Sequence, residues 1–146
     1  MRYFSILFVL SLFACTSSKS SSIPKDIEAK IQKQFDKNIT LIKAKNYEKL
    51  APFITYGGQD EERYCKDVCN YEVAGDQRMV DDLIEETIKH LGTSLEYTYD
   101  SYFFAKESEG TWHVLVAKTA ESKKVGFAFL KIGDLYTFAD ITTDVK

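Results

Sequence analysis

The apolar periodicity of this chain changes at one point, near residue 93. Before it, apolar side chains recur every three or four residues, which is typical of amphipathic helices. After it, they recur at every second residue, as in strands with one buried face. A parallel sheet requires helices that alternate with the strands along the chain. Here the helices all precede the strands. The sequence therefore predicts an α+β domain, with N-terminal helices packed on an antiparallel sheet.

Three helices are predicted before the change of period. The first begins at Pro24 and runs to about Lys45, because Ile27, Ile31, Phe35, Ile39 and Ile42 form one apolar stripe. A short second helix is predicted over residues 47–54. The third helix has an apolar face within residues 80–91 and ends at Gly92, a residue type that commonly terminates helices.

Four strands are predicted after it, over residues 95–105, 111–120, 125–132 and 135–141. Short polar or glycine-containing turns join them, so consecutive strands should pair as an antiparallel meander. The third strand is apolar at both alternating sets of positions, from Val125 to Ile132. Because one face can pack on the helices, the other face needs a cover, and a second copy of the chain would provide it. We therefore expect a homodimer through the sheet.

The first 15 residues have the layout of an export signal. Arg2 supplies a positive charge, residues 3–13 are apolar, and Leu12-Phe13-Ala14-Cys15 resembles the lipobox of bacterial lipoproteins. The resemblance implies cleavage before Cys15 and lipidation of its thiol. A secretory signal cut elsewhere and a buried N-terminal helix are the alternatives. The predicted organisation is a signal peptide at 1–14, a lipidated cysteine with a Ser-rich tether at 15–23, and one α+β domain at 24–146.

The export signal and the lipobox-like segment predict a protein of the bacterial cell envelope. It would be attached to a membrane through Cys15, with its domain outside the cytoplasm. The membrane would be the outer one if the cell has one. No later apolar run approaches the roughly 20 residues that a spanning helix needs. The net charge of −3 becomes −4 once Arg2 leaves with residues 1–14, and the charges are spread along the chain. Without clustered Lys and Arg, a nucleic-acid surface is not expected.

Two cysteines remain, Cys65 and Cys69, within a polar and glycine-punctuated segment. An exported protein meets an oxidising compartment, so the sequence predicts a disulfide between them. Positions four apart in a regular helix are too distant for that bond, which places the pair in a loop or a distorted turn. A metal site is not expected because neither His is nearby, and the spacing is not the C-x-x-C of redox dithiols.

The order of elements resembles the NTF2-like (cystatin-like) superfamily, in which helices pack into a cone-shaped, strongly curved sheet. The residues that carry the resemblance are Leu41–Leu50, at the junction of the first two helices, and Trp112–Val114 and Phe129–Leu135 in the last strands. It covers about residues 27–142, and another α+β roll would also fit. The resemblance implies a cone that can hold a small apolar ligand. Some members of the superfamily are isomerases, dehydratases or cyclases.

Candidate catalytic groups are few. His113 is the best single candidate for a general base, because only histidine titrates near neutrality without help. Asp100, Asp134 and Asp140 are other possible bases, and the tyrosines at 97, 99 and 102 are possible donors. Trp112 and His113 must face opposite sides of a regular strand, and we expect Trp112 in the core and His113 in solvent.

No nucleophile, phosphate-binding, zinc or dinucleotide motif is present, so no cofactor is expected. The sequence thus favours a non-enzymatic binding or structural domain that takes an envelope protein or a small ligand. The alternative is a small NTF2-like enzyme, of the isomerase or dehydratase type, acting on an apolar molecule.

Overall fold

A computed structural model of the protein describes residues 25–145. The predicted signal peptide (1–14), Cys15 and the tether (15–23) lie outside these residues, as does Pro24. Helices α1 (Lys25–Lys43), α2 (Tyr47–Leu50) and α3 (Ala74–Leu91) precede four strands. The strands are β1 (Tyr97–Glu107), β2 (Gly110–Thr119), β3 (Lys124–Ile132) and β4 (Leu135–Thr142). The predicted α+β class is confirmed.

The predicted second helix is interrupted. It ends as an α-helix at Leu50, and a 3-10 turn follows over Ala51–Phe53 before Ile54 becomes extended. Pro52 explains the break because proline has no backbone N–H to donate to the preceding turn. The third helix ends as predicted, since Gly92 adopts a left-handed φ of 78° and its N–H donates to the Ile88 carbonyl.

The four strands form an antiparallel meander in the order β1-β2-β3-β4, as predicted. Two register shifts interrupt the ladders, because Asp100 is an extra residue on β1 and Ala139 is an extra residue on β4. An extra residue on one strand bends it and increases its local twist. The sheet is therefore irregular at both of its edge strands.

An aromatic cluster fills the space between α1 and the sheet. The ring centroid of Phe35 on α1 lies 4.4 Å from that of Phe127, 6.3 Å from Phe129 and 6.5 Å from Phe138. All four side chains are buried. We call the side of the sheet that carries these rings the helix face, and the opposite side the back face. Leu115 lies on the helix face, opposite Phe127.

Both faces of β3 are buried, as its apolar composition predicted. Every residue from Val125 to Leu130 is buried. On the back face, a Cβ atom at Gly126 would lie 2.8 Å from methyl groups of Thr142 and Val145. The chain's own C-terminal residues therefore cover part of the face for which we expected a second copy. A homodimer stays a prediction, and light scattering over a concentration series tests it.

Candidate functional site

His113 is buried on the helix face, which corrects the expectation that it would be exposed. It is 8% exposed, whereas Trp112 is only half-buried. Strand alternation explains the arrangement, because His113 shares its face with Leu115 and lies opposite Phe129 on β3. Trp112 takes the back face. Since that face is also largely buried, it accommodates the indole outside the main core.

Tyr102 and His113 form a hydrogen-bonded pair. The Tyr102 hydroxyl oxygen lies 2.5 Å from His113 Nδ1, and the edge of the Tyr136 ring packs against the imidazole at a centroid distance of 5.1 Å. Burial lowers the pKa of His113 and, with repulsion from Tyr136 and Glu28, raises the pKa of Tyr102 to about 12. At neutral pH the imidazole is therefore neutral and the phenol protonated, so the hydrogen-bonded pair carries no charge.

Tyr97 and Tyr99, the other predicted donors, are hydrogen-bonded to residues of α1. Both hydroxyls donate to Asp36 Oδ1, that of Tyr97 at 2.5 Å, and the Tyr99 oxygen also lies 3.2 Å from the Gln32 carbonyl oxygen. Desolvation and these bonds to a carboxylate raise the pKa of both phenols. The two tyrosines therefore hold α1 against β1, and their protons do not point into an open cone.

The three aspartates proposed as bases do not gather around His113. Asp100 binds Lys118 Nζ at 2.6 Å and Lys124 Nζ at 2.8 Å, which lowers its pKa to about 2. Asp134 lies in the exposed turn between β3 and β4. Desolvation and the nearby charge of Glu86 raise the pKa of Asp140, but its side chain remains open to solvent. Within residues 25–145, none of the three is hydrogen-bonded or ion-paired to His113.

The segment between the 3-10 turn and α3, residues 57–73, is organised around Arg63. We call it the cysteine loop. The Arg63 guanidinium donates to both carboxylate oxygens of Asp76, at 3.2 and 2.8 Å, to Asp67 at 2.7 Å and to the Val68 carbonyl at 3.1 Å. It also lies over the Tyr56 ring, with the guanidinium carbon 3.9 Å from the ring centroid. This network lowers the pKa of both aspartates.

Asp76 is the buried acceptor that binds both Arg63 and the loop backbone. It is 2% exposed in the first turn of α3, and its carboxylate also accepts a hydrogen bond from the Asn70 backbone N–H at 2.9 Å. The sequence prediction missed it, although the spacing of Arg63 and Asp67 matches an ion pair across one helical turn. The pairing with Asp76, thirteen residues from Arg63, has no local signal.

Cys65 and Cys69 are free thiols, so the predicted disulfide is not present. The two side chains have different surroundings. Cys69 is buried in the core with its sulfur 3.8 Å from the Thr55 carbonyl oxygen, whereas Cys65 is half-buried. Their backbone N–H groups bond to different carbonyls, Ile54 for Cys69 and Tyr56 for Cys65. Burial raises the pKa of Cys69 to about 12, which keeps its thiol protonated and unreactive.

Two open depressions lie beside the cysteine loop, not beside His113. One, of about 390 Å³, is lined by residues 44–48 and Tyr71, and another, of about 230 Å³, lies between Glu48, Pro52 and Cys69. Ligand sites are usually enclosed and apolar with a few convergent polar groups, and neither depression has that form. Among residues 25–145 no group of acidic, Cys and His side chains could hold a metal ion.

No helix within residues 25–145 is long and apolar enough to cross a membrane. Among the buried side-chain nitrogen and oxygen atoms of these residues, only Asn38 Nδ2 on α1 has no hydrogen-bond partner. Comparison with known proteins gives no match to a protein-family model, to a curated protein or to a solved structure.

Proposed function

We propose that this chain is an exported bacterial lipoprotein whose domain is a non-enzymatic binding or structural module of the cell envelope. The lipobox-like Leu12-Phe13-Ala14-Cys15 after an apolar segment supports the anchor, and the serine-rich residues 16–22 support a tether. The lipid on Cys15 holds the chain on a membrane, the outer one where the cell has two. The domain then stands outside the cytoplasm, within reach of an envelope protein or a small ligand.

The filled interior is the observation that favours a module without catalysis. Phe35, Phe127, Phe129 and Phe138 occupy the space between α1 and the sheet where a cone would hold a substrate. Interiors packed to this degree leave no room for a ligand without rearrangement. A domain built this way presents its surface to partners.

An NTF2-like cone is the fold that we propose within the α+β class. The order of three helices followed by a four-stranded meander supports it, as does α1 lying across one face of the sheet. The extra residues on β1 and β4 are further support, because bulges bend strands and so curve a sheet.

A small enzyme acting on an apolar molecule is the second candidate, and the Tyr102–His113 pair favours it. A neutral imidazole hydrogen-bonded to a phenol is a combination that can accept and return a proton. The pair would need an opening beside Tyr136 to reach a substrate. A thermal-shift screen with apolar small molecules tests this reading. Stabilisation of the wild type that is lost in His113→Phe would favour it, and uniform absence of stabilisation would favour the non-enzymatic module.

Mass spectrometry of the membrane fraction tests the anchor. We expect a mature chain that begins at Cys15 and carries additional acyl mass, and a Cys15→Ser variant that leaves the membrane fraction. An intact N-terminus in the membrane fraction, or a soluble mature chain that begins elsewhere, would contradict the proposal. Alkylation of the same sample without prior reduction also reports whether Cys65 and Cys69 remain free in the envelope.

A further inference from the structure

The two edges of the sheet differ in what lies beside them. The edge formed by β4 is partly covered, because Ile54 pairs with Phe138 in a parallel bridge and the Thr55 N–H donates to the Phe138 carbonyl oxygen at 2.8 Å. The edge formed by β1 is open: within residues 25–145, no backbone hydrogen bond reaches β1 from outside the sheet. An edge strand with unpaired backbone groups is a template for pairing with another chain.

The open edge also carries exposed aromatic side chains on both faces. Of the five large hydrophobic side chains that are exposed in residues 25–145, three belong to β1: Tyr99 at 38%, Phe103 at 42% and Phe104 at 36%. Phe104 lies opposite His113 on the helix face, so Phe103 points to the back face. A partner docked on one face would cover only one of these two rings. A strand added to the edge covers both, because its side chains also alternate between the faces.

The sequence of β1 suits pairing with itself in the antiparallel sense. Beyond the extra residue Asp100, β1 is regular from Ser101 onward. If Phe103 lies opposite its own counterpart in a second copy, Tyr102 lies opposite Phe104 on the helix face, and the same pair occurs again across the symmetry axis. Aromatic pairs directly opposite each other stabilise a ladder. Registers centred on Tyr102 or Phe104 would replace these pairs with contacts to polar residues or to alanine.

On the helix face, the two ends of β1 carry opposite charges. The Asp36 carboxylate lies at the start of the strand, where it accepts hydrogen bonds from Tyr97 and Tyr99. Lys106 lies near its end, two residues after Phe104 on the same face. A two-fold axis perpendicular to the sheet keeps both copies on the same face and brings the start of one strand to the end of the other. Each Lys106 then approaches an Asp36 of the opposite copy.

On the back face the charges are reversed. Lys118 and Lys124 lie at the start of β1 and share the single carboxylate of Asp100, which leaves one positive charge in excess. Glu107 lies at the end of the strand on that face. The same two-fold axis therefore brings a negative end to a positive end on this face as well. Complementary charge on both faces favours a second copy of the chain as the occupant of the edge.

We propose that β1 pairs antiparallel with β1 of a second copy, so that two four-stranded sheets become one continuous sheet. This dimer uses the edge of the sheet, whereas the homodimer expected from the sequence would cover the back face of β3. It does not depend on the lipid anchor. Pairing over residues 101–105 buries a small area, so the dissociation constant should lie in about the micromolar range or above.

Sedimentation equilibrium of the full chain with Cys15→Ser, which carries no lipid, measures the association from about 1 to about 500 μM. We expect a monomer–dimer equilibrium. Phe103→Lys should weaken it at least about tenfold, because the symmetry axis places two ammonium groups opposite each other and removes an aromatic pair. Val73→Lys is the matched control, since Val73 is 46% exposed but precedes α3, and it should leave the association unchanged.

Two further variants test the arrangement of the strands. Glu107→Lys should weaken the dimer, because it brings a positive charge toward Lys118 and Lys124. Phe103→Cys, in a Cys65→Ser background, should form a disulfide-linked dimer when oxidised glutathione is supplied, because opposite Cβ atoms lie about 4.5–5.5 Å apart. Val73→Cys in the same background should not cross-link.

A monomer at every concentration would overturn the inference. So would a dimer that is equally strong in Phe103→Lys, because the copies would then meet through another surface, such as the back face. Equal cross-linking of Phe103→Cys and Val73→Cys would have the same meaning. Circular dichroism of each variant confirms its fold. If Phe103→Lys is unfolded, the decision passes to Glu107→Lys, whose unchanged association overturns the inference.

Discussion

The centre of the sheet and the cysteine loop are held in opposite ways. On β3, six consecutive residues are buried by apolar contacts, with Phe127 and Phe129 packed against Phe35. In the cysteine loop, the Arg63 guanidinium donates four hydrogen bonds, and two of them go to the buried carboxylate of Asp76. The first region depends on buried area and the second on the directions of a few hydrogen bonds.

This difference predicts how each region fails. Apolar contacts have no strict direction, so a lost side chain costs free energy in proportion to the area and the cavity left behind. A buried ion pair depends on both partners, because removing one leaves the other charge desolvated. Damage in the sheet should therefore lower the stability of the whole domain, whereas damage in the network should first release the cysteine loop.

The largest effect is expected from Phe129→Ala. The side chain is fully buried between Phe35 and Phe138, and its removal leaves a cavity in the centre of the core. We expect a loss of about 3–5 kcal/mol in the free energy of unfolding. Urea denaturation followed by circular dichroism measures it. The matched control Phe103→Ala, at an exposed position of β1, should cost about 1 kcal/mol or less.

Asp76→Asn should lower the free energy of unfolding by about 2–4 kcal/mol, because it removes the buried carboxylate that neutralises Arg63. Arg63 is partly exposed and water can reach it, so the loss should be below that of Phe129→Ala. Hydrogen exchange should rise first at the Asn70 amide, which donates to Asp76.

The control for this substitution is Asp67→Asn, because Asp67 binds the same guanidinium but is half exposed. Its loss should stay below about 1 kcal/mol. Equal losses for the two variants would contradict the view that burial of Asp76 fixes the loop.

The same substitution, glycine to alanine, compares how tightly the two regions are packed. At Gly126 on β3, a Cβ atom would meet methyl groups of Thr142 and Val145 at 2.8 Å, so Gly126→Ala should lose about 1–3 kcal/mol. At Gly57 in the cysteine loop, nothing lies within 4 Å of such an atom, and Gly57→Ala should be neutral or slightly stabilising. Thermal unfolding of both variants measures the contrast. A loss at Gly57 equal to that at Gly126 would show that the loop is as tightly packed as the sheet.

The apolar half of this comparison could be predicted from the sequence. The stripe from Ile27 to Ile42 and the unbroken apolar run of β3 are periodic patterns, and periodicity reports directly which faces are buried. The break at Pro52 was missed although proline is a local signal, because the surrounding apolar residues favoured one continuous helix. The burial of His113 was predicted wrongly because adjacent strand residues face opposite sides of the sheet. Alternation alone does not say whether Trp112 or His113 lies on the helix face.

The cysteine loop could not be predicted in the same way. Cys65 and Cys69 differ in burial because Arg63 fixes the backbone between them, and the partner that anchors Arg63 lies in another element. Long-range polar pairs leave no periodic trace in one sequence. The exposure of two phenylalanines on β1 could not be predicted for a related reason. Phe103 and Phe104 resemble Phe127 and Phe129 in composition, and only their place on an edge strand exposes them.

Acid should weaken both regions, because it protonates carboxylates in each of them. Lys118 and Lys124 lower the pKa of Asp100 to about 2, below its unfolded value of about 3.9. A carboxyl whose folded pKa is lowered contributes stability above its unfolded pKa, and that contribution is lost as the pH falls through the folded value. The pKa of Asp76 is lowered in the same direction by Arg63. Stability should therefore change little through these groups from pH 7 to about 4, and fall between about 4 and 2.

Urea denaturation at pH 7, 4, 3 and 2 separates the two contributions. Asp100→Asn removes the ion pairs to Lys118 and Lys124 on the sheet, so it should lower stability at pH 7 and flatten the decline below pH 4. Asp76→Asn should flatten the same decline and, in addition, remove the acid-induced rise in hydrogen exchange at Asn70, which Asp100→Asn leaves intact. If Asp100→Asn abolished that rise as well, the sheet and the cysteine loop would be one cooperative unit, and the distinction between them would hold for their contacts but not for their unfolding.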